Sequence, residues 1–177
     1  MSIFFLRHVK TKNNSKNIIS GRIETDILPD SNIIWSENVS FEYIYCSTSK
    51  RCRETITMLP KELYSGEIYF TEELLERSVG ILEGMSKKIA LKLYPHLFYK
   101  NKLSVLAEIE DGETIQDVKN RVKEVVQDIM RKGTHKNVLI CSHNQTLKVI
   151  YAIVNDIEIT NEYWTSTNFS NGTIVKI

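Results

Sequence analysis

Cysteine is scarce in this sequence, and the three present, Cys46, Cys52 and Cys141, form no C-x-x-C pair and are odd in number. A disulfide framework is therefore not what holds the chain together, and reduced thiols in the cytoplasm are the expectation. No apolar run approaches membrane-spanning length, and Met1 leads almost directly into an apolar segment, which leaves no room for a signal peptide. Charge of neither sign dominates: 23 Lys and Arg stand against 22 Asp and Glu, without a basic block. General nucleic-acid or membrane binding is excluded on that ground, while a local basic pocket is still allowed. Metal-ligand spacings of His, Cys and Asp are missing, as are internal repeats, low-complexity tracts and linkers. What is there is 177 residues, 42% hydrophobic and 25% charged, enough for one domain with a full core.

The pattern alternates strands and helices. Ile3 to Leu6 is a short apolar run suited to a strand buried on both faces. It stops abruptly at Arg7 and His8, and a polar loop runs from Lys10 to Ser20. Gly21, Arg22 and the stretch Asp26 to Asp30 read as turn and loop, and Ser31 to Val39 has room for one short helix. Tyr43 to Cys46 is a second strand. A helix follows from about Lys50 to Leu59, ended by Pro60. Ile68 to Phe70 is a third strand, succeeded by an acidic segment, Glu72 to Glu76, and a loop through Gly80 and Gly84.

Ser86 is placed to cap a helix with Ile89, Ala90, Leu93, Tyr94, Leu97 and Phe98 on its apolar face, bent at Pro95. The clearest helix runs from about Glu113 to Lys132, where Ile115, Val118, Val122, Val125 or Val126, and Ile129 step by three and four, with Gly133 as its stop. Val138 to Ser142 is the fourth strand, Gln145 to Val154 the next helix, and Thr173 to Ile177 a last strand after Asn171-Gly172. The fold class is α/β: a single-domain, three-layer α/β/α arrangement with a mostly parallel sheet.

In such a sheet ligands sit beyond the carboxyl ends of the strands. Arg7, His8, Arg51 and His143 each lie just after a strand or in the first turn of the following helix. One crevice would then hold two imidazoles and two guanidiniums. Its natural ligand is a phosphate, held bidentately by guanidinium and by helix N-termini after Ser49 and Asn144. A neutral imidazole can attack phosphorus, and neighbouring cations keep it neutral. His96 and His135 lack such partners and read as surface residues, Arg53 as an exposed helix cation, Arg121 as structural. Ser47 and Ser142 suit turns and caps as well as ligand contacts.

These blocks resemble the histidine phosphatase superfamily, the phosphoglycerate mutase-like fold. Arg7-His8-Val9-Lys10-Thr11 with Asn14 is similar to its R-H-G-x-T opening, and Gly21 and Asp26 loosely match its glycine-and-aspartate loop. Ser47 to Thr55, with Arg51, resembles S-S-x-x-x-R-A-x-x-T, and Leu74 to Gly84, with Glu76, resembles L-x-E-x-x-x-G-x-x-E-G. Gly112-Glu113-Thr114 through Arg121 follows the helix-start block, and Ser142-His143-Asn144-Gln145-Thr146-Leu147-Lys148 the S-H-G-x-x-I/L-R block. Six blocks in order, from residue 3 to about 150, are not chance.

The resemblance implies a phosphoglycerate mutase-like fold and a metal-independent phosphomonoesterase acting on a small-molecule phosphate monoester, without cofactor, nucleic acid or membrane. His8 would be the nucleophile, and Arg7, Arg51 and His143 would hold the equatorial oxygens. Glu76 would protonate the leaving alkoxide and then activate water, with Glu83 the rival for that role. Asn14, Gly21 and Asn144 would contact the substrate. The alternatives are phosphotransfer of the phosphoglycerate mutase type and a non-catalytic phospho-ligand or partner-binding module. The module predicts loss of a catalytic group, and His8, Arg51, Glu76 and His143 are all present. The mutase predicts longer covering segments than the roughly 28 residues between Gly84 and Gly112, and a C-terminal tail. Three departures stand out: Val9 and Asn144 where the family has glycine, and Lys148 where it has arginine.

Overall fold

Phe4, Phe5 and Leu6 are almost wholly buried, and each contributes about 1.5–3 kcal/mol by leaving water. They form the centre of β1 (Ser2–Arg7) in the computed structural model, which describes residues 2–35, 39–132 and 136–177. A one-turn helix α1 (Lys12–Ser15), β2 (Phe41–Ser47), α2 (Lys50–Thr57) and β3 (Tyr64–Thr71) follow. Then come α3 (Lys87–Leu93), a small hairpin of β4 (Phe98–Tyr99) and β5 (Lys102–Leu103), and the long α4 (Ile115–Lys132). The chain continues through β6 (Asn137–Ser142), α5 (Asn144–Val154), α6 (Asn161–Ser166) and β7 (Ile174–Lys176).

The main sheet has the order β3-β2-β6-β1-β7. Its first four members run parallel, and β7 is antiparallel to β1. Strand alternation divides the core. Ile3 and Phe5 of β1 point to the face covered by α4 and α5, with Val118, Val122, Ile129 and Leu147. Phe4 and Leu6 point to the opposite face, with Cys52 and Ile56 of α2 and with Phe41. Both faces are covered, as a parallel sheet requires. A third apolar cluster, including Val79, Leu82, Ala90, Leu97 and Ile109, belongs to the segment after β3. That segment is tied to the loop after α1 by Ile19 N–H to Met85 O and Gly84 N–H to Ile19 O.

Most expected elements are present, with boundaries shifted by a few residues. α3 ends at Leu93, and a short 3-10 turn takes over at Pro95, because proline cannot donate to the helical ladder. Ile89 and Leu93, expected on the apolar face, are instead 52% and 57% exposed. The helix expected over Ser31 to Val39 is not formed in its described part. Ile34 donates to Gly172 O and accepts from Ile174, so its backbone bonds go to the chain entering β7. Residues 36–38 lie outside the described residues, as do Gly133 and His135. α6 was not anticipated, although Thr160 caps it by accepting from the Tyr163 N–H. No described helix is long and apolar enough to cross a membrane.

Candidate active site

β1 and β6 are neighbours in register, with Arg7 opposite Ser142, so the residues after them emerge side by side at one sheet edge. The His8 N–H donates to Ser142 O at 3.0 Å, extending the ladder by one bond. On the far side, Asn171 Nδ2 donates to His8 O at 2.8 Å, and the Val9 N–H donates to Thr55 Oγ1 at 3.0 Å. His8 is therefore held through its own backbone and its neighbour's. Val9 is not among the residues of positive φ, so its β-branched side chain carries no left-handed strain. The bulk is accommodated opposite, where Gly172 (φ +70) would bring a Cβ within 3.3 Å of Val9 Cγ1.

The two rings differ in their protons. His8 Nδ1 lies 2.8 Å from the carbonyl of Val9, an acceptor only, so Nδ1 carries the hydrogen. Nδ1 makes the ring's one hydrogen bond among the described residues, so Nε2 is left without one, and the ring lines a cavity of about 190 Å³. His143 Nδ1 accepts from Arg51 Nε at 3.1 Å, and arginine can only donate. Its hydrogen is thus on Nε2, which donates to Ser47 Oγ at 3.0 Å. Burial pushes the pKa of both rings well below 6.5, with Arg51 the next largest cause for each. Both are neutral near neutral pH.

Arg51 is almost wholly buried. Besides His143 it donates to Gly21 O at 2.7 Å and Ile23 O at 3.0 Å. Gly21 sits at φ +48, where a side chain is strained, and a Cβ there would fall 2.2 Å from Glu83 Oε1 and displace that carboxylate. Arg7 donates through Nη1 to Phe169 O at 3.0 Å, while its Nε is buried without a protein partner among the described residues. Burial lowers its pKa, opposed by Glu76. Arg7, His8, Arg51 and Glu76 line the one cavity, with Asn14, Gly21 and Asn144.

Glu76 reaches this cavity from the segment after β3. Its carboxylate accepts from the Gln145 N–H at 3.3 Å and the Thr146 N–H at 3.2 Å, two of the free donors at the start of α5. Glu83 does not line the cavity. It accepts from Ser78 Oγ and from the Arg22 and Val79 N–H groups, as a brace beneath Gly21. His143 is likewise not among the lining residues. The resemblance implies that it holds a phosphate oxygen; in this arrangement both its nitrogens are engaged by protein, Nδ1 by Arg51 and Nε2 by Ser47. Asn14 forms a capping box with Thr11. Asn144 is the first residue of α5, in helical and not left-handed backbone, and its Oδ1 accepts from Phe169 N–H at 3.0 Å.

Of the remaining expectations, His96 and Arg53 are exposed, and Arg121 braces Glu113 and the Glu73 carbonyl. Ser142 Oγ donates to Leu74 O and is no ligand contact in this arrangement. Sequence reasoning missed Asn171 and Thr146. Thr146 is legible in hindsight, since it lies in the first turn of a helix whose start was identified; nothing local singles out Asn171.

The family model described as histidine phosphatase superfamily (branch 1) matches residues 3–177. A metal-independent phosphoserine phosphatase of Arabidopsis thaliana is 24% identical over 193 residues, covering 96% of this chain and 81% of its own. A broad-specificity phosphatase of Saccharomyces cerevisiae is 28% identical over 162 residues, covering 84% and 67% respectively. Among solved structures, Bacillus stearothermophilus YhfR superposes with a TM-score of 0.83 at 24% identity, over 99% of this chain and 89% of that one.

Proposed function

The chain belongs to the histidine phosphatase superfamily, and from that premise we propose that it is a phosphomonoesterase that hydrolyses a small phosphorylated metabolite through a phosphohistidine on His8. One juxtaposition carries the reading. A neutral imidazole with an unpaired Nε2 shares a small cavity with two guanidiniums and one carboxyl group. The relatives named as phosphoserine and broad-specificity phosphatases support the reaction class.

In the first step His8 Nε2 attacks phosphorus, the P–O bond to the leaving group breaks, and Glu76 gives its proton to the departing alkoxide. In the second, Glu76 takes a proton from water as the water oxygen attacks phosphorus. The P–N bond breaks, and inorganic phosphate and neutral His8 are restored. Negative charge spread over the equatorial oxygens is met by Arg7 and Arg51, fixed in place before the reaction. Arg7 Nε, buried without a partner among the described residues, is a donor suited to one such oxygen. Asn14, Gly21 and Asn144 line the same cavity and are assigned to the bound phosphate and its ester oxygen.

The test is a rapid quench with ³²P-labelled substrate. An acid-labile, base-stable phosphoprotein is expected in the wild type and absent in His8→Ala, whose kcat falls at least about a thousandfold. A His8→Ala enzyme of near-full activity would overturn the mechanism.

A further inference from the structure

A second cavity, of about 500 Å³, opens beside the first and shares Arg7, Asn144 and Gln145 with it. Its wall gathers three lysines far apart in sequence, Lys87, Lys102 and Lys148, with Arg7. No carboxylate is among its described lining residues. Lys148 is 3% exposed, and its ammonium donates to Trp164 O at 2.7 Å and lies 5.0 Å from the Trp164 ring centroid. Lys102 donates to the adjacent carbonyl, Thr165 O. Those carbonyls belong to the last turn of α6, where helix carbonyls lack intrahelical partners. α6 thus holds two ammonium groups at the cavity, each with one of its three donors used. Burial, with Lys102 the next cause, pulls the Lys148 pKa down to about 8, as expected of like charges crowded into a poorly hydrated wall.

We propose that this cavity receives the distal end of the substrate, and that this end carries a second anionic group, a carboxylate or another phosphate, and no ammonium. The inference rests on the phosphatase reading for the position of the first phosphate, and deepens it by naming the substrate class. A phosphate at His8 puts the rest of a small ester against Gln145 and Asn144 and toward Lys102 and Lys148. An anion there accepts the unused ammonium donors, through charge-assisted bonds. An ammonium there meets three lysines and Arg7 with no lining carboxylate to pair with. An amino acid phosphate is therefore disfavoured, in contrast to the relative named for phosphoserine.

The experiment compares four esters on the purified chain: 3-phosphoglycerate, propane-1,3-diol bisphosphate, O-phospho-L-serine and propyl phosphate. 3-Phosphoglycerate and phosphoserine differ only in hydroxyl against ammonium beside the carboxylate. We expect kcat/KM for 3-phosphoglycerate, the bisphosphate or both to exceed that for phosphoserine and propyl phosphate by at least about tenfold, mainly through KM. Which of the two anionic esters leads identifies the distal group. In Lys102→Met and Lys148→Met the ratio should shrink to within about threefold. Lys102 is only half-buried, so its variant keeps the test alive should the buried one fail to fold. Equal use of all four esters, preference for phosphoserine, or an unchanged ratio in Lys102→Met would overturn the inference. If none releases phosphate, the phosphatase reading falls on its own. Calorimetric binding of 3-phosphoglycerate then decides the inference: weakening at least about tenfold in Lys102→Met supports it, and undiminished or undetectable binding ends it.

Discussion

The imidazoles of His8 and His143 lie with centroids 5.2 Å apart and planes at 59°, and they hold their protons on opposite nitrogens. The Val9 carbonyl fixes the proton of His8 on Nδ1, and the Arg51 Nε–H fixes that of His143 on Nε2. The two rings therefore stand in different settings. One presents a lone pair to the cavity. The other is spent on the guanidinium that faces the same cavity. Adding a proton to either ring places a cation beside Arg51 in a buried site, which is why both stay neutral.

That neutrality makes stability depend on pH. Both folded-state pKa values lie well below 6.5, so below that pH the unfolded chain binds protons that the native state refuses. The contribution is complete above the unfolded value and is lost as pH falls beneath it, by up to about 2.7 kcal/mol per pH unit for two rings. Urea melts at pH 7.5, 6.0 and 5.0 should show this decline, and His8→Asn should remove about half of the two-ring slope. A slope that His8→Asn leaves untouched would mean that the ring is not held neutral by the fold.

Glu76→Gln keeps one oxygen for only one of the Gln145 and Thr146 N–H groups, which bind different carboxylate oxygens, and it cannot donate a carboxylic proton. It should slow hydrolysis of alkyl phosphates by roughly 10²–10⁴-fold and that of p-nitrophenyl phosphate much less, because nitrophenolate leaves unaided. Equal losses on both substrates would move the acid role elsewhere.

Chelation should leave activity within about twofold of the untreated enzyme, since two guanidiniums supply the positive charge that a metal would otherwise bring. Among the described residues no group of three or more His, Cys, Asp or Glu is arranged to hold an ion. Strong inhibition by EDTA, reversed by a divalent cation, would contradict this assignment.

Supplied with 3-phosphoglycerate and a trace of 2,3-bisphosphoglycerate, the protein should release inorganic phosphate and form little 2-phosphoglycerate. A mutase has to shield its phosphohistidine from water until transfer back. Here the roughly 28 residues between Gly84 and Gly112 fold into α3 and a two-strand hairpin, with Ala90, Leu97, Ala107 and Ile109 spent on their own core. Rapid isomerisation with little phosphate release would promote the mutase reading.

The sequence by itself determines the strands and the residues at their ends. A four-residue apolar run that stops at Arg7 and His8, and a second that stops at Ser142 and His143, have one inexpensive placement: buried, parallel, with their polar ends at a common edge. Period and caps likewise determine α2, α4 and α5, and block order determines the family. Only the tertiary structure decided what each polar atom does. His143 meets Arg51 and Ser47 across 92 and 96 residues, and its task follows from those partners, not from its strand. Glu76 and Glu83 look alike in sequence, yet one reaches the cavity and the other lies beneath Gly21. Lys87 and Lys102 carry no local signal, and Lys148 stands out only as a lysine where the family has arginine, yet the three meet at one wall, two of them fastened by α6 carbonyls. Periodicity is a property of neighbouring residues and survives in the string. A hydrogen bond between distant residues depends on strand order and loop path, and exists only once the chain has closed around it.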